Sequence, residues 1–424
     1  MTAARRLTAG DPEGQRTFTK PSQKSYDVVI LGGGAAGLAA AIAAAAFDLS
    51  VLILEKNDRP ARKVQAAGNG RCNLSNRSCP DWPTTEAFFH SIGLYTREGD
   101  EGRLYPHSED GRDVVRCLVR EARKRGVEVV CGCPALDIQV LPPPANAAQG
   151  DHSRSSLSFT VAFAGGSVGA SRVLMAPGGK AGPVFGTTGD GYRWARKLGH
   201  QVKRTFPVLT GIRTRENMTD LGLSGVRQKG EAILIRKGEE VFRERGEIQY
   251  TDAGLSGICI FNMTRFMDLA SEAREARCFS DFLIWLDFMP DFSHQEVSAL
   301  YRKNLARCGG QKTKALTSLV KQPLARVIGE GLLSGQSPDL QLKKLPFHPL
   351  NLEGWNRAQG TRGGVPLSEL CLDTMESRLV PGLYLAGEVL DRDFPCGGFN
   401  LQAAWTEGLR AGRAIGISLS GERI

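Results

Sequence analysis

The spacing of apolar positions changes several times along the chain, and each change marks an element. Tyr26 to Leu31 is a short, nearly continuous apolar run, as expected of a buried strand. A glycine turn follows, then an Ala-rich helical stretch to about Phe47, then a second apolar strand from Ser50 to Leu54. Together these predict one β-α-β unit. Asp113 to Arg125 has helical periodicity and leads into a strand at Val127 to Val130. The polar, proline-rich segment Leu141 to Ser156 predicts an exposed loop tip. Leu157 to Val173, with its SFTVAF alternation and Gly165-Gly166 turn, predicts a hairpin that ends at Leu174-Met-Ala-Pro-Gly-Gly179.

Between His200 and Asn356 the character differs. Short β-like runs such as Ala232 to Ile235 give way to helical segments around Gln295 to Arg307 and Thr313 to Gly329. A strand at Gly382 to Ala386 and a final helix from Asn400 to Ile417 then have the character of the first unit again. The expected class is therefore α/β, a Rossmann-like domain built from both chain ends around an inserted mixed α+β region. The expected boundaries are a flexible tail at 1–24, a first part at 25–199, an inserted substrate-side domain at 200–356 and a second part at 357–424. A chain of 424 residues is long enough for more than one core, since single cores stop growing near ~250–300 residues.

Gly32-x-Gly34-x-x-Gly37 sits between the first strand and the first helix, and the second strand ends in Glu55. In this setting Gly32 permits a tight turn, Gly34 lets backbone approach a pyrophosphate, and Gly37 lets helix and strand pack closely. The helix start near Ala35 offers free N–H groups to phosphate, and Glu55 is placed to accept from ribose hydroxyls. NAD and FAD domains share this unit. The far end of the chain favours FAD. Pro381-Gly-Leu-Tyr-Leu-Ala-Gly-Glu388 is similar to the late FAD motif of two-dinucleotide-binding flavoproteins, where the carboxylate holds ribityl hydroxyls. Cys396-Gly-Gly-Phe-Asn400 opens the last helix, whose N–H groups face the flavin edge that gains negative charge on reduction. A basic, glycine-rich loop, Arg62-Lys63 followed by Ala67-Gly-Asn-Gly-Arg-Cys-Asn73, is placed to follow the cofactor from adenosine towards the flavin.

VVILGGGAAGLAAAIAA, NGRCNLSN, APGGKAGPVFGTTGDGY, GEIQYTDAGLSGICIFNMTR and GGVPLSELCLDTMESRLVPGLYLAGEVLD occur in this order over most of residues 26 to 415. They resemble the bacterial FAD-binding flavoproteins labelled aminoacetone oxidase family, which include bile-acid-reductase-like members. The resemblance implies FAD contacts at Gly32, Gly34, Ala36, Gly37, Glu55, Lys56, Arg62, Asn69, Arg71, Cys72, Asn73, Gly178, Gly387, Glu388, Gly397, Gly398, Asn400 and Leu401. No second GxGxxG-plus-acid unit is present, so no dedicated nicotinamide domain is expected and NADH or NADPH is expected to visit the flavin transiently. Two positions depart from the family pattern: Pro177 replaces a threonine and removes a backbone N–H, and Cys396 replaces a threonine beside the double glycine. Cys72 and Cys396 are the candidate catalytic residues, as proton donor or redox partner.

Composition narrows the alternatives. The N-terminal segment has no apolar stretch of signal-peptide type, and the longest apolar run carries the glycine motif, so neither export nor a membrane span is expected and the expected location is cytoplasmic. Ten dispersed cysteines without Cys-x-x-Cys predict reduced thiols and no metal. The net charge of +9, with 22 basic against 17 acidic residues from Lys203 to Lys344, is compatible with an anionic partner. The family resemblance offers uridine in ribosomal RNA, reduced to dihydrouridine, or a bile-acid-like enone as substrate. An O2-dependent amine oxidase and a non-enzymatic flavin-bound RNA-binding protein are the rival readings. Arg204, Arg213, Arg215, Arg243 and Arg245 are further candidates for ligand contact, and oligomeric state is open.

Overall fold

The structure is a computed structural model that describes residues 20–142, 158–267 and 279–421. The expected loop at Leu141 to Ser156 and the N-terminal tail lie largely outside those residues. Five parallel strands form the central sheet, in the order Leu383–Leu385, Gly166–Met175, Ser25–Leu31, Val51–Leu54 and Glu128–Val130. Val28, Val29 and Ile30 are fully buried in the middle strand, which is why that segment reads as an unbroken apolar run rather than an alternation. The strand from the far end of the chain pairs with Gly166–Met175, so the sheet is completed by residues more than 200 positions away. Phe159–Phe163 and Ala135–Val140 add an antiparallel extension along the first half of that long strand.

The helix Ala35–Ala44 is buried on nearly every side, consistent with its all-apolar composition. Its outer cover is the final helix, Phe399–Ser420, and three glycines spaced four apart set the distance between them. A β-carbon at Gly408 would lie 2.3 Å from the Ala36 carbonyl oxygen, at Gly412 2.3 Å from the Ala40 carbonyl oxygen, and at Gly416 2.1 Å from the Phe47 ring. Residues at this spacing share one helix face. The backbone of one helix therefore rests on the other.

The strands Lys203–Val208 and Gly360–Gly364 pair antiparallel and carry the chain out of the Rossmann sheet and back. Between them lies a seven-stranded antiparallel sheet in the order Leu345–Phe347, Phe282–Asp287, Arg227–Arg236, Glu239–Thr251, Gly254–Ser256, Ile212–Thr214 and Pro349–Leu352. Buried apolar residues fall into two clusters. One draws on positions 26–195 and 365–419, the other on 212–352. The turn at His200 is fastened to the edge of the first sheet. Ser377 Oγ accepts from the Leu379 and Val380 N–H groups, so its hydroxyl donates to His200 Nε2 at 2.9 Å, and His200 Nδ1–H donates to Glu369 Oε2 at 2.6 Å.

Two local expectations require correction. Thr313 to Gly329 is not one helix: it breaks into Lys312–Ala315 and Gln322–Gly329, with Ser318 at φ +77° between them and Pro323 in the first turn of the second piece. Proline favours a helix start because its missing N–H is not needed there. The loose tail also ends earlier than Lys24. Ser22 bonds Glu128 through both its N–H and its hydroxyl, and Glu128 accepts from Tyr26 OH at 2.6 Å.

Gly412→Val places three carbons where the Ala40 backbone already lies, and the helix pair must separate. The expected destabilisation is at least about 1–3 kcal/mol, read by urea denaturation. Arg413→Gln, on the exposed side of the same turn, should stay within about 0.5 kcal/mol of the parent.

Candidate active site

A cleft of about 870 Å³ opens at the C-terminal ends of the parallel strands, where open α/β sheets bind ligands. Its floor is the turn after the first strand. Gly32 has φ +105°, and a β-carbon there would lie 2.4 Å from the Ala176 carbonyl oxygen, so only glycine lets the two strand ends approach. A β-carbon at Gly37 would lie 2.0 Å from the Gly32 carbonyl oxygen, which seats the helix on the strand. At Gly34 there is open space instead. The helices beginning at Ala35 and Phe399 both start from a glycine with no side-chain cap. Gly34, Ala35, Gly398 and Asn400 all line the cleft, so two sets of unpaired helix N–H groups border the same space.

Carboxylates are held at both ends. Glu55, 6 % exposed, accepts from the Gly33 N–H at 2.9 Å through one oxygen and from the Asn57 N–H and side-chain amide at 2.8 and 2.7 Å through the other. That clamp orients it towards the cleft, leaving lone pairs for ribose hydroxyls. Glu388 receives Lys63 Nζ at 2.5 Å and the Thr361 hydroxyl at 2.6 Å. Thr361 in turn accepts from the Lys180 and Ala181 N–H groups, so the crossover strand positions the late carboxylate. Beneath Glu388, the carboxylate of Glu407 accepts from the Gly387 N–H at 2.6 Å and pairs with Arg392 at 2.8 Å. Burial pushes the Glu407 carboxyl up to about 7, against the opposing pull of Arg392 and the Gly387 amide.

Gly32, Gly34, Ala36, Glu55, Lys56, Arg62, Asn69, Arg71, Asn73, Gly178, Gly387, Glu388, Gly397, Gly398, Asn400, Leu401 and Cys396 come together around this cleft. Lys56 reaches it while paired with Asp190 at 2.6 Å, and Arg71 while stacked over Tyr105. Two of the named residues stand apart. Gly37 serves packing beneath the turn, and the Cys72 thiol is a correction. Cys72 is fully buried in the core, outside the cleft lining, and burial pushes its thiol up to about 12. It has no access to a substrate. The left-handed backbone at Gly68, Asn69 and Cys72 nevertheless bends the loop so that Asn69, Arg71 and Asn73 face the cleft. Arg204, Arg213, Arg215, Arg243 and Arg245 do not line it; Arg243 pairs with Glu231 and Glu240, and Arg245 with Asp291.

Several lining residues escape motif reading. Arg392 and Glu407 brace the turn at Gly387, and Ile258, Phe261, Phe394 and Gln359 line the cleft with Cys396, while Thr361 bonds Glu388 from outside the lining. A charge inside the otherwise small-residue face of the final helix was the available signal for Glu407.

The donors fit a flavin dinucleotide. Two uncapped helix starts suit a pyrophosphate, two clamped carboxylates suit the two polyol segments, and the buried Asn73 Oδ1 at the cleft has no hydrogen-bond partner among the described residues. The cleft volume lies in the upper part of the ~300–1,000 Å³ range of cofactor sites. Fold and site define an FAD-dependent oxidoreductase. The chain belongs to the HI0933-like protein Rossmann domain family, which it matches over residues 26–85 and 81–414. It is 31% identical over 420 residues to the 3-dehydro-bile acid delta(4,6)-reductase of Clostridium scindens, covering 91% of this chain and 98% of that one. It is 25% identical to the ribosomal RNA dihydrouridine synthase of Escherichia coli, covering 90% and 96%. Among solved structures, 3-ketosteroid delta1-dehydrogenase from Sterolibacterium denitrificans aligns with a TM-score of 0.49 at 13% identity, over 93% of this chain and 100% of that one. Among the described residues no helix is long and apolar enough to cross a membrane.

Glu55→Ala should weaken flavin binding roughly 10- to 100-fold, the worth of one or two charge-assisted hydrogen bonds, as read by fluorescence titration of the apoprotein. Glu407 gives a pH signature. Its folded-state pKa of about 7 lies above the ordinary 4.5, so folding favours the protonated form. Its contribution is fully present below about pH 4.5 and is lost as pH rises through about 7. The parent should therefore lose on the order of 3 kcal/mol relative to Glu407→Gln between those pH values, measured by urea denaturation of both proteins.

Proposed function

We propose that the protein is an NAD(P)H-linked flavin reductase that delivers hydride to an activated C=C bond, the substrate being uridine in ribosomal RNA or a bile-acid-like enone. The observation that carries this reading is the outer half of the cleft. There the inserted region supplies Ile258 and Phe261 to the same cleft as Phe394, Cys396 and the start of the final helix, an apolar wall suited to a substrate. FAD, when bound, supplies hydride transfer through its N5. The names of the two relatives support reduction of a conjugated or pyrimidine double bond. The residues divide the work. The Gly398 to Leu401 N–H groups stabilise negative charge, Glu388 and Glu55 orient the polyols, and the apolar wall excludes water from the transfer.

Cys396 is the proposed proton donor. Its thiol lines the cleft, its N–H is held by Asn262 Oδ1 at 2.8 Å, and its Sγ–H points to Gln359 Oε1 at 3.8 Å. Burial pushes the thiol up to about 12, so it is protonated near neutral pH and yields that proton only to a strong base, the substrate carbanion or enolate left by hydride addition, the thiolate then regaining a proton from solvent. Such a group donates to the substrate carbon that does not receive hydride. Reductant reaches the same cleft in turn, since the chain has a single GxGxxG unit.

The test is anaerobic reduction of the flavoprotein by NADPH and by NADH, followed by reoxidation with unmodified ribosomal RNA, a bile-acid enone, an amine or O2. Reoxidation by RNA or the enone is expected and chooses the substrate. Peroxide formation dependent on an amine would replace the reductase with an oxidase. Cys396→Ala should slow reoxidation by about 10²-fold or more while leaving flavin affinity near the parent value. An unchanged rate removes Cys396 from the mechanism.

A further inference from the structure

From Val297 to Gly329 the chain carries seven basic residues and no acidic one. All seven, Arg302, Lys303, Arg307, Lys312, Lys314, Lys321 and Arg326, are exposed. Several cations elsewhere in the inserted region are neutralised, as Arg243 is by Glu231 and Glu240, Arg245 by Asp291 and Lys343 by Asp287. Here Arg326 meets Glu330 at 3.9 Å, and the other six form no ion pair among the described residues. Interleaved charge is the ordinary state of a solvated surface, and segregation on this scale creates a local positive field.

The fold gathers these cations. Asn304 donates to the Ala315 carbonyl at 3.2 Å, tying the helix His294–Arg307 to the Lys312–Ala315 turn. Gly329 lets the helix Gln322–Gly329 close on Thr313, since a β-carbon there would lie 2.5 Å from the Thr313 hydroxyl. Between them is a surface depression of about 770 Å³, in which Lys312, Lys314 and Arg326 stand among Gln311, Thr313 and Gln322. A backbone tie links this face to the sheet that borders the cleft. The Lys321 N–H donates to Gln228 Oε1 at 3.1 Å, and the neighbouring Arg227 lines the active cleft. Lys229 shares the face of Arg227 on the same strand. Two carboxylates stand among these cations, Glu330 in the depression beside Arg326 and Glu247 at 3.6 Å from Arg227.

We infer that this surface docks RNA, whose backbone follows the cations from the depression to the cleft while one unstacked base enters. A small anion would satisfy one or two of these charges and leave the rest without purpose. A repeating phosphate chain meets them all, with the amides and hydroxyl contacting phosphate and sugar. A membrane fits less well, because Leu300 is the one large apolar side chain exposed in the stretch and interfacial binding needs a buried apolar face. The inference deepens the reductase reading and rests on it for what happens in the cleft.

The experiment measures binding of a fluorescent single-stranded RNA to the flavin-loaded protein across a salt series, beside phosphatidylserine vesicles. The triple variant Lys312→Ala/Lys314→Ala/Lys321→Ala should reduce the slope of log affinity against log salt by about 2. At 0.1 M salt its affinity should fall roughly 100-fold. The flavin spectrum and circular dichroism should not change, and arginine at the three positions should restore binding. Equal RNA binding by parent and variant overturns the inference, as does parent binding to vesicles and not to RNA. A protein that reduces its flavin but ignores RNA sinks the docking surface alone. One that binds RNA through these lysines but never cycles its flavin sinks the reductase reading alone.

Discussion

The contact of the final helix with the first, backbone against backbone at Gly408 and Gly412, is the constraint from which the site follows. Any larger side chain there would hold the helices apart by more than the close approach allows. Because they touch, the uncapped starts of both helices, one near residue 35 and the other near residue 399, open on a single cleft. An anion between them meets the positive ends of two helices, each carrying about half a unit charge. The same contact lets Glu407 reach the Gly387 amide from inside the helix, so the packing that closes the sheet also fixes the late carboxylate turn.

The inserted region completes the site without interrupting that core. Its buried cluster draws on residues 212–352, while the Rossmann cluster draws on the segments either side. The paired strands Lys203–Val208 and Gly360–Gly364 are the crossover, and Thr361 on one of them bonds both Glu388 and the backbone after Gly179. The glycine turn and the clamped carboxylates at strand ends all belong to the Rossmann half of the architecture. The insertion adds Ile258, Phe261 and Arg227 to the lining of the same cleft. Changes in that insertion can alter what is bound while the cofactor frame stays intact.

Local sequence determined the β-α-β unit with its glycine turn, the strand Leu383–Leu385, and the final helix to within a few residues, because periodicity and glycine conformational freedom are properties of neighbouring positions. The α/β class follows from those patterns. Most of the residues named from motifs do gather at one cleft, since a motif of this kind is a description of backbone at a strand end. Tertiary structure decided the remainder. Cys72 and Cys396 are alike as letters, yet one thiol is sealed in the core and the other lines the cleft, a difference set by which way the loop 67–73 turns at its left-handed residues. The spacing of Gly408, Gly412 and Gly416 acquires its meaning from a helix some 370 positions earlier in the chain. The ties of Lys63 and Thr361 to Glu388, and of Lys321 to the strand that bears Arg227, depend on distances through space between segments that no local pattern relates.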